Sequence, residues 1–532
     1  MKSQKLFILF ALATMLFMAA CSDDASGENA ASDEERLDNL NESDMPIVKE
    51  KITLDMFAGV PPGANDWNDI MIWNEYEEMT NIEVNFEQIK TESLIEKRNL
   101  VLASGDLPDA FYAADIPPID IMKYGQQGSL IKLNDLIDEY APNIKKVFET
   151  YPEVEKALTF PDGNIYSLPG VYSPDFLSLM VSSRPWINQE WLEEFDMEEP
   201  ETTEEFYEYL KTVKEQDPNG NEAIPYGGAD LDGLVGWLRG SFGIGNRGRA
   251  YIDLDPEKGD VRFYPITEEY KEMVVYLNKL YSEKLIEQNI FSIDQSQYLA
   301  NAAEGKYGST VFWSPEDLFG EAGQAFVGLA ALEGPNGDQM YTKMNHPAYQ
   351  IGKFAITSEN EHPEATMRWI DHFYGDEGSR LAFMGIEGET YEVNEDGEYV
   401  YMDHIRNSDE GLTLDQEVAK YLTWVGGIPA ILKKDYFQGS EKSPSSLEAA
   451  DKIEPYIIDE VWGTFTYTEE ENNKLSALSA DIEKYVDEML DKFISGDVPL
   501  SEWDKYVETI KNMGLDEYLE IQNAAFERYE SN

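Results

Sequence analysis

Three short apolar runs, Ile52-Thr53-Leu54-Asp55-Met56-Phe57, Ile82-Glu83-Val84-Asn85-Phe86 and Ala110-Phe111-Tyr112, decide the fold. Each reads as a strand, the second by alternation of apolar and polar residues. Between them, Ile70 to Met79 and Thr91 to Ala103 have helical patterning. The breaks are marked by Gly59-Val60-Pro61-Pro62-Gly63 and Ser104-Gly105-Asp106-Leu107-Pro108-Asp109, where Gly and Pro end regular structure. Strand, helix, strand, helix, strand within about sixty residues is the spacing of a parallel sheet with crossover helices, so the fold class is α/β.

Outward from this core the pattern continues. Phe160 to Tyr166, with Asp162-Gly163 at its centre, predicts a hairpin. Helices are expected at 190–195, 203–215 and 268–283, the last with Tyr270, Met273, Val274, Leu277, Leu280 and Tyr281 at helical spacing. Ala355-Ile356-Thr357 and 365–374 predict a further strand and helix. A second hairpin is expected around Glu395-Asp396-Gly397, and from Lys474 onward the tail reads as helix, with Leu475, Leu478, Ile482, Val486 and Leu490 on one face.

The other end of the chain is of a different kind. Lys2 and Lys5 precede an apolar run from Leu6 to Ala20, followed by Cys21 and then Ser22-Asp23-Asp24. A basic start, an apolar middle and small residues before a cut site predict an export signal over 1–20. At 15 residues the run is shorter than the roughly 20 a permanent membrane helix needs. Ala19-Ala20 before the only cysteine resembles the lipobox of bacterial lipoproteins, although Met18 stands where that family usually has Leu. This resemblance implies a lipid anchor on Cys21 and a location on the extracellular face of the cell membrane. Residues 21–48 hold nine acidic residues, one basic residue and no apolar period, which predicts a disordered acidic tether.

The 532 residues exceed what one core organises, so at least two lobes are expected. A single cysteine excludes an intramolecular disulfide. Against 41 basic residues stand 104 acidic ones, a formal charge of −63, which argues against nucleic acid or an anionic membrane surface as partner.

The order of several phrases carries a resemblance. Ala103-Ser104-Gly105-Asp106-Leu107-Pro108-Asp109 is followed by Asp162-Gly163-Asn164-Ile165-Tyr166-Ser167-Leu168-Pro169, Ile224-Pro225-Tyr226-Gly227 and Asn278-Lys279-Leu280-Tyr281. Trp369-Ile370-Asp371-His372-Phe373-Tyr374, Gly385-Ile386-Glu387-Gly388, Trp503-Asp504-Lys505-Tyr506-Val507 and Met513-Gly514-Leu515-Asp516 come later. From about residue 50 to the end, the chain resembles the family 1 extracellular solute-binding lipoproteins of bacterial carbohydrate ABC importers. It is most similar to the LipO-like and alginate-binding members. The resemblance implies a periplasmic-binding-protein-like fold, two α/β lobes on a multi-strand hinge that close on an oligosaccharide. On this basis lobe one is placed at 49–175 and 345–405, and lobe two at 176–344 and 406–532. The implied partners are an oligosaccharide and the permease subunits of an ABC transporter, with membrane contact only through the lipid.

A sugar has apolar ring faces and a rim of hydroxyls, so its cleft wants aromatic platforms and polar groups. Trp67 follows the first strand, where a doubly wound sheet places ligands. Trp186, Trp237, Trp313 and Trp424 are the other aromatic candidates, each with a place in the core as the alternative. Asp115 and Arg184 are the leading polar candidates, followed by Glu387 and Tyr391 beside a Gly-rich turn. Arg239, Arg247 and Arg249 cluster in a cation-poor chain, which fits a uronate-containing ligand, internal ion pairs or a permease docking patch.

Asp217-Pro218-Asn219-Gly220-Asn221 places oxygens at positions one, three and five, like the start of an EF-hand loop. Asp217, Asn219, Asn221 and Glu222 are therefore candidate calcium ligands; the alternative is an Asx turn. No other cofactor is implied. The four His residues have no paired metal spacing, and no Gly-x-Ser-x-Gly or Walker loop occurs. A non-enzymatic receptor is the primary expectation. A surface glycoside hydrolase or polysaccharide lyase is the rival, because paired acids cannot be picked out among so many carboxylates.

Overall fold

The structure, a computed structural model, describes residues 33–61, 64–218, 220, 222–423 and 428–531. The first sheet has six strands in the order Ile431–Leu432, Leu168–Tyr172, Ala348–Ile356, Ala110–Tyr112, Ile52–Val60 and Ile82–Lys90. Ile52–Val60 runs parallel to Ile82–Lys90 and to Ala110–Tyr112, as the strand–helix spacing requires. Ala348–Ile356 joins antiparallel beside Ala110–Tyr112. The intervening helices are Met71–Thr80, which ends on a left-handed Asn81, and Thr91–Ser104, which ends on Gly105.

The second sheet orders Phe326–Gly328, Arg184–Asn188, Tyr307–Phe312 and Ile224–Tyr226, the last two parallel. Helix Thr203–Gln216 starts with a capping box between Thr202 and Glu205. The 27-residue helix Glu469–Ser495 starts the same way, through Thr468 and Glu471, and buries Ile482, Val486 and Phe493 against this lobe.

Two large apolar cores follow from the two sheets. One gathers residues from 47 to 179 and from 348 to 437, and the other from 181 to 341 and from 450 to 529. The chain thus passes between lobes near 180, 345 and 440. The crossings are tied together: Asn345 donates to the carbonyls of Met180 and Leu179, and the Ser178 hydroxyl donates to the carbonyl of Glu441.

Three expectations change. Residues 406–437 do not belong with lobe two: Ile431–Leu432 pairs with Leu168–Tyr172, and Val418, Leu422, Tyr436 and Phe437 fill the first core. The Asp162-Gly163 turn forms, with Phe160 and Asn164 bonded, but no ladder extends from it. Asn134 captures the amide of Ile165 and the carbonyl of Gly163 instead. The acidic segment is also ordered over its second half. Residues Asp33–Asn39 are helical, Leu40 bridges to Val48, and Ile47 and Val48 are buried in the first core. Arg36 pairs with Glu364, and Arg368 donates to the carbonyls of Asn41 and Asp44. The signal, Cys21 and residues 22–32 lie outside the described residues.

Candidate functional site

In open α/β sheets ligands gather beyond the carboxyl ends of the strands. In the first lobe that edge is built from Val60, from Ala113 to Asp115, and from the start of Ala348–Ile356, which runs the other way. These residues enclose a cavity of about 220 Å3 bordered by Trp67, Asp115, Tyr349, Gln350 and Lys353. Ala113, Asp115 and Gln350 all adopt the left-handed backbone region, strain that typically marks ligand clamps. Arg98 holds the loop in place by donating to the carbonyls of Ala114 and Asp115. The Asp115 carboxylate faces inward to Lys353, 2.6 Å from its Nζ. Burial lowers the Lys353 pKa, and Asp115 works against that shift. Tyr172 and Tyr349 stack at 4.7 Å at the same edge.

In the second lobe the corresponding edge follows Ile224–Tyr226 and Tyr307–Phe312. Trp313 leaves the end of the latter strand, stacks on Phe312 at 5.2 Å and is 48% exposed. Beyond Tyr226, the turn Gly227 to Leu231 leads into helix Asp232–Leu238. Along that helix lies a cavity of about 270 Å3 bordered by Asp232, Arg239, Tyr251, Tyr264, Lys343 and Asp487. The Tyr251 hydroxyl donates to Asp487 at 2.9 Å. Both Asp232 and Asp487 keep solvent exposure, yet desolvation by the surrounding cavity walls raises the pKa of Asp232, with Asp230 adding to it, and likewise that of Asp487. Helix Pro118–Gln126 of the first lobe, which starts three residues after Asp115, touches helix Glu469–Ser495, which carries Asp487.

The sequence candidates divide accordingly. Trp67, Asp115 and Trp313 stand at the cleft edge, although Trp67 is otherwise buried against Phe86 and Tyr112. Arg184 does not stand there. It is fully buried and donates to Ser178, Ser446 and the carbonyl of Trp313, joining two lobe crossings; its pKa is brought down to about 10 by burial. Trp186 and Trp237 are core residues, with indole N–H groups satisfied by the carbonyls of Phe312 and Ala330. Tyr391 is buried in the hairpin against Tyr399, while Glu387 is exposed beside it; neither borders the two cavities. Trp424 lies outside the described residues.

Of the arginine cluster, Arg239 borders the second-lobe cavity. Arg247 pairs with Glu460, and Arg249 donates to Gly463 and packs over Phe465. The loop at 217 closes on itself: Asp217 Oδ1 accepts the amide of Ala223 at 2.8 Å. Glu222 is exposed, whereas Asn219 and Asn221 lie outside the described residues. Among the described residues no three His, Cys, Asp or Glu side chains form a metal-ligating group.

Asp230, Asp232, Tyr251, Lys343 and Asp487 were not singled out from sequence. The Gly- and Asp-rich turn after the Ile-Pro-Tyr strand was a usable signal for the first two. Nothing local marks the others.

Two α/β lobes tied by three crossings, with polar and aromatic groups at their strand ends, have the architecture of a solute receptor. The chain belongs to the bacterial extracellular solute-binding proteins, the family that matches residues 67–380. It is similar to the fructooligosaccharide ABC transporter substrate-binding protein FusA of Streptococcus pneumoniae, at 29% identity over 98% of this chain and 97% of that one. Lipoprotein LipO of Bacillus subtilis is 23% identical over 85% of this chain and 88% of its own. Among solved structures, FusA in complex with kestose superposes with a TM-score of 0.72, at 26% identity over 90% of this chain and all of that one. FusA is a substrate-binding protein, and none of these relatives supports the hydrolase or lyase reading. No helix among the described residues is long and apolar enough to cross a membrane.

Proposed function

We propose that this solute-binding protein captures an oligosaccharide outside the cell and delivers it to the permease of an ABC transporter, held at the membrane by lipid on Cys21. The supporting observation is Trp313, an exposed aromatic at a strand end of the second lobe, in a fold shared with an oligosaccharide-bound relative. An aromatic face and a ring of acceptors suit the two surfaces of a sugar. Ligand touching both lobes binds the closed form more tightly and so shifts the population toward it. Release to the permease follows when the transporter favours the open form.

The test is a thermal-shift screen of the purified protein against oligosaccharides, since a ligand of the folded state raises Tm. Formation of new reducing ends during incubation would instead support the hydrolase. The anchor is tested separately: Cys21→Ser should release the protein into the medium with sugar binding intact.

A further inference from the structure

Arg184, the first residue of strand Arg184–Asn188, is a fully buried cation whose hydrogen bonds all go to neutral oxygens. Its Nη1 donates to the carbonyl and the hydroxyl of Ser178, at 3.0 and 2.6 Å, beside the first crossing between lobes. Its Nη2 donates to the Ser446 hydroxyl at 3.2 Å, in the first turn of helix Pro444–Ile453, just past the third crossing. The same Nη2 donates to the carbonyl of Trp313 at 3.0 Å. The Ser178 hydroxyl ties the first crossing to the third directly, through the carbonyl of Glu441 at 2.6 Å. The guanidinium also lies over the Trp186 ring, 5.7 Å from its centre, and the Trp186 indole holds the carbonyl of Phe312. Two successive carbonyls, those of Phe312 and Trp313, are therefore gripped from the neighbouring strand, while Trp313 itself is half in solvent.

Resting on the receptor reading above, we propose that Arg184 is a positioning residue that touches no sugar and couples the platform at Trp313 to the hinge. A guanidinium is planar and its donors form a fixed fork, so it acts as a rigid strut between the groups it bonds. Bonds from a charged donor are stronger than neutral ones, and a buried carbonyl that loses its donor bears the full desolvation penalty. Lobes close by rotating about their crossings. Rotation at Ser178 or Ser446 therefore either carries the Trp313 carbonyl along or breaks a bond to Arg184. Sugar that fixes Trp313 favours one setting of the crossings, and by linkage that setting favours sugar. Buried charges are ordinarily paired with an opposite charge. This one is shared among three separate segments instead, and so is anchored in none of them alone.

The probes are kestose, maltotriose, xylotriose, mannotriose and trigalacturonate, titrated by calorimetry into the full-length protein, with the tightest binder carried forward. Arg184→Lys keeps the charge, but a compact ammonium cannot span the three segments. It should weaken that sugar about tenfold and reduce the sugar-induced fall in radius of gyration seen by small-angle X-ray scattering. Trp313→Ala should cost at least tenfold in the wild-type background and less than threefold in Arg184→Lys, since residues acting through one another are not additive. Hydrogen exchange on the wild-type protein keeps the test if the variant does not fold. Saturating sugar should slow the amides of Asp317, Val181 and Leu447 together, which bond to Ser314, Leu177 and Ser443. A lower Tm with unchanged affinity in Arg184→Lys would make Arg184 merely structural and overturn the inference. So would a full tenfold effect of Trp313→Ala in that background, or protection confined to Asp317; each leaves the receptor reading intact. Binding of none of the five sugars would overturn both readings.

Discussion

The two cleft edges are built alike and finished differently. In the first lobe the polar groups satisfy each other: Asp115 holds Lys353, Arg98 holds the loop carbonyls, and Trp67 is packed inward. In the second lobe Trp313, Asp232 and Asp487 stand exposed. A polar residue at a strand end is therefore not in itself a ligand contact. What separates the two edges is whether its partner is already in the protein. The first edge is a shaped, strained wall, and the second leaves Trp313 and Asp232 open, with Asp487 held by Tyr251 alone.

The comparison is broken most sharply at Asp115. Asp115→Ala leaves Lys353 buried without its counter-charge and should cost roughly 3 kcal/mol of stability, because removing one partner of a buried pair strands the other. Urea denaturation measures this, and sugar affinity in the folded variant should change little. Lost affinity with unchanged stability would make the first edge a contact surface too.

Acidification tests both lobes. Asp371, in the first, is buried at the start of helix Pro142–Thr150, accepting from the amides of Asn143 and Ile144; burial pushes its pKa up to about 6. A folded pKa above the unfolded one, about 3.9, means the folded state binds the proton first. Stability then rises as pH falls through 6 and levels off near 4, a gain of about 3 kcal/mol at most. The raised carboxylates Asp232 and Asp487 act in the same direction in the second lobe. Tm should be higher at pH 5.5 than at pH 7.5, with a flatter profile in Asp371→Asn. A Tm that falls on acidification contradicts this.

Trp313→Ala should weaken sugar binding at least tenfold, about 1.4 kcal/mol, with little change in stability because the ring is already half in solvent. A fall in Tm without a fall in affinity would return Trp313 to a structural role. The smallest effect is expected at Asp217. One of its oxygens is already held by the Ala223 amide, so added calcium should move Tm by less than about 1 °C. A rise of several degrees that Asp217→Asn abolishes would make the loop a cation site.

The first three strands were legible because Gly and Pro punctuate them and their alternation is local. Ile431–Leu432 was not, because two residues carry no period, and with it went the assignment of 406–437. Trp186, Trp237 and Trp313 look equivalent in sequence. Their fates depend on what packs above each strand, which is tertiary information. Asp487 is one carboxylate among 104 acidic residues, and it becomes a site residue only because its helix is laid beside Tyr251. Leu37, Leu40, Met45, Ile47 and Val48 are scattered through a polar segment at no regular spacing, too sparse to show a face.

The docking of residues 33–48 on the first lobe has a mechanical consequence. If lipid holds Cys21, the mooring line is the eleven residues 22–32 and not the whole acidic segment. Fully stretched, it reaches no further than about 40 Å. The first lobe is then the berth and the second the swinging jaw. A line that short confines the protein to a thin layer above the bilayer, where its effective concentration at a membrane-embedded partner far exceeds that of a freely diffusing protein.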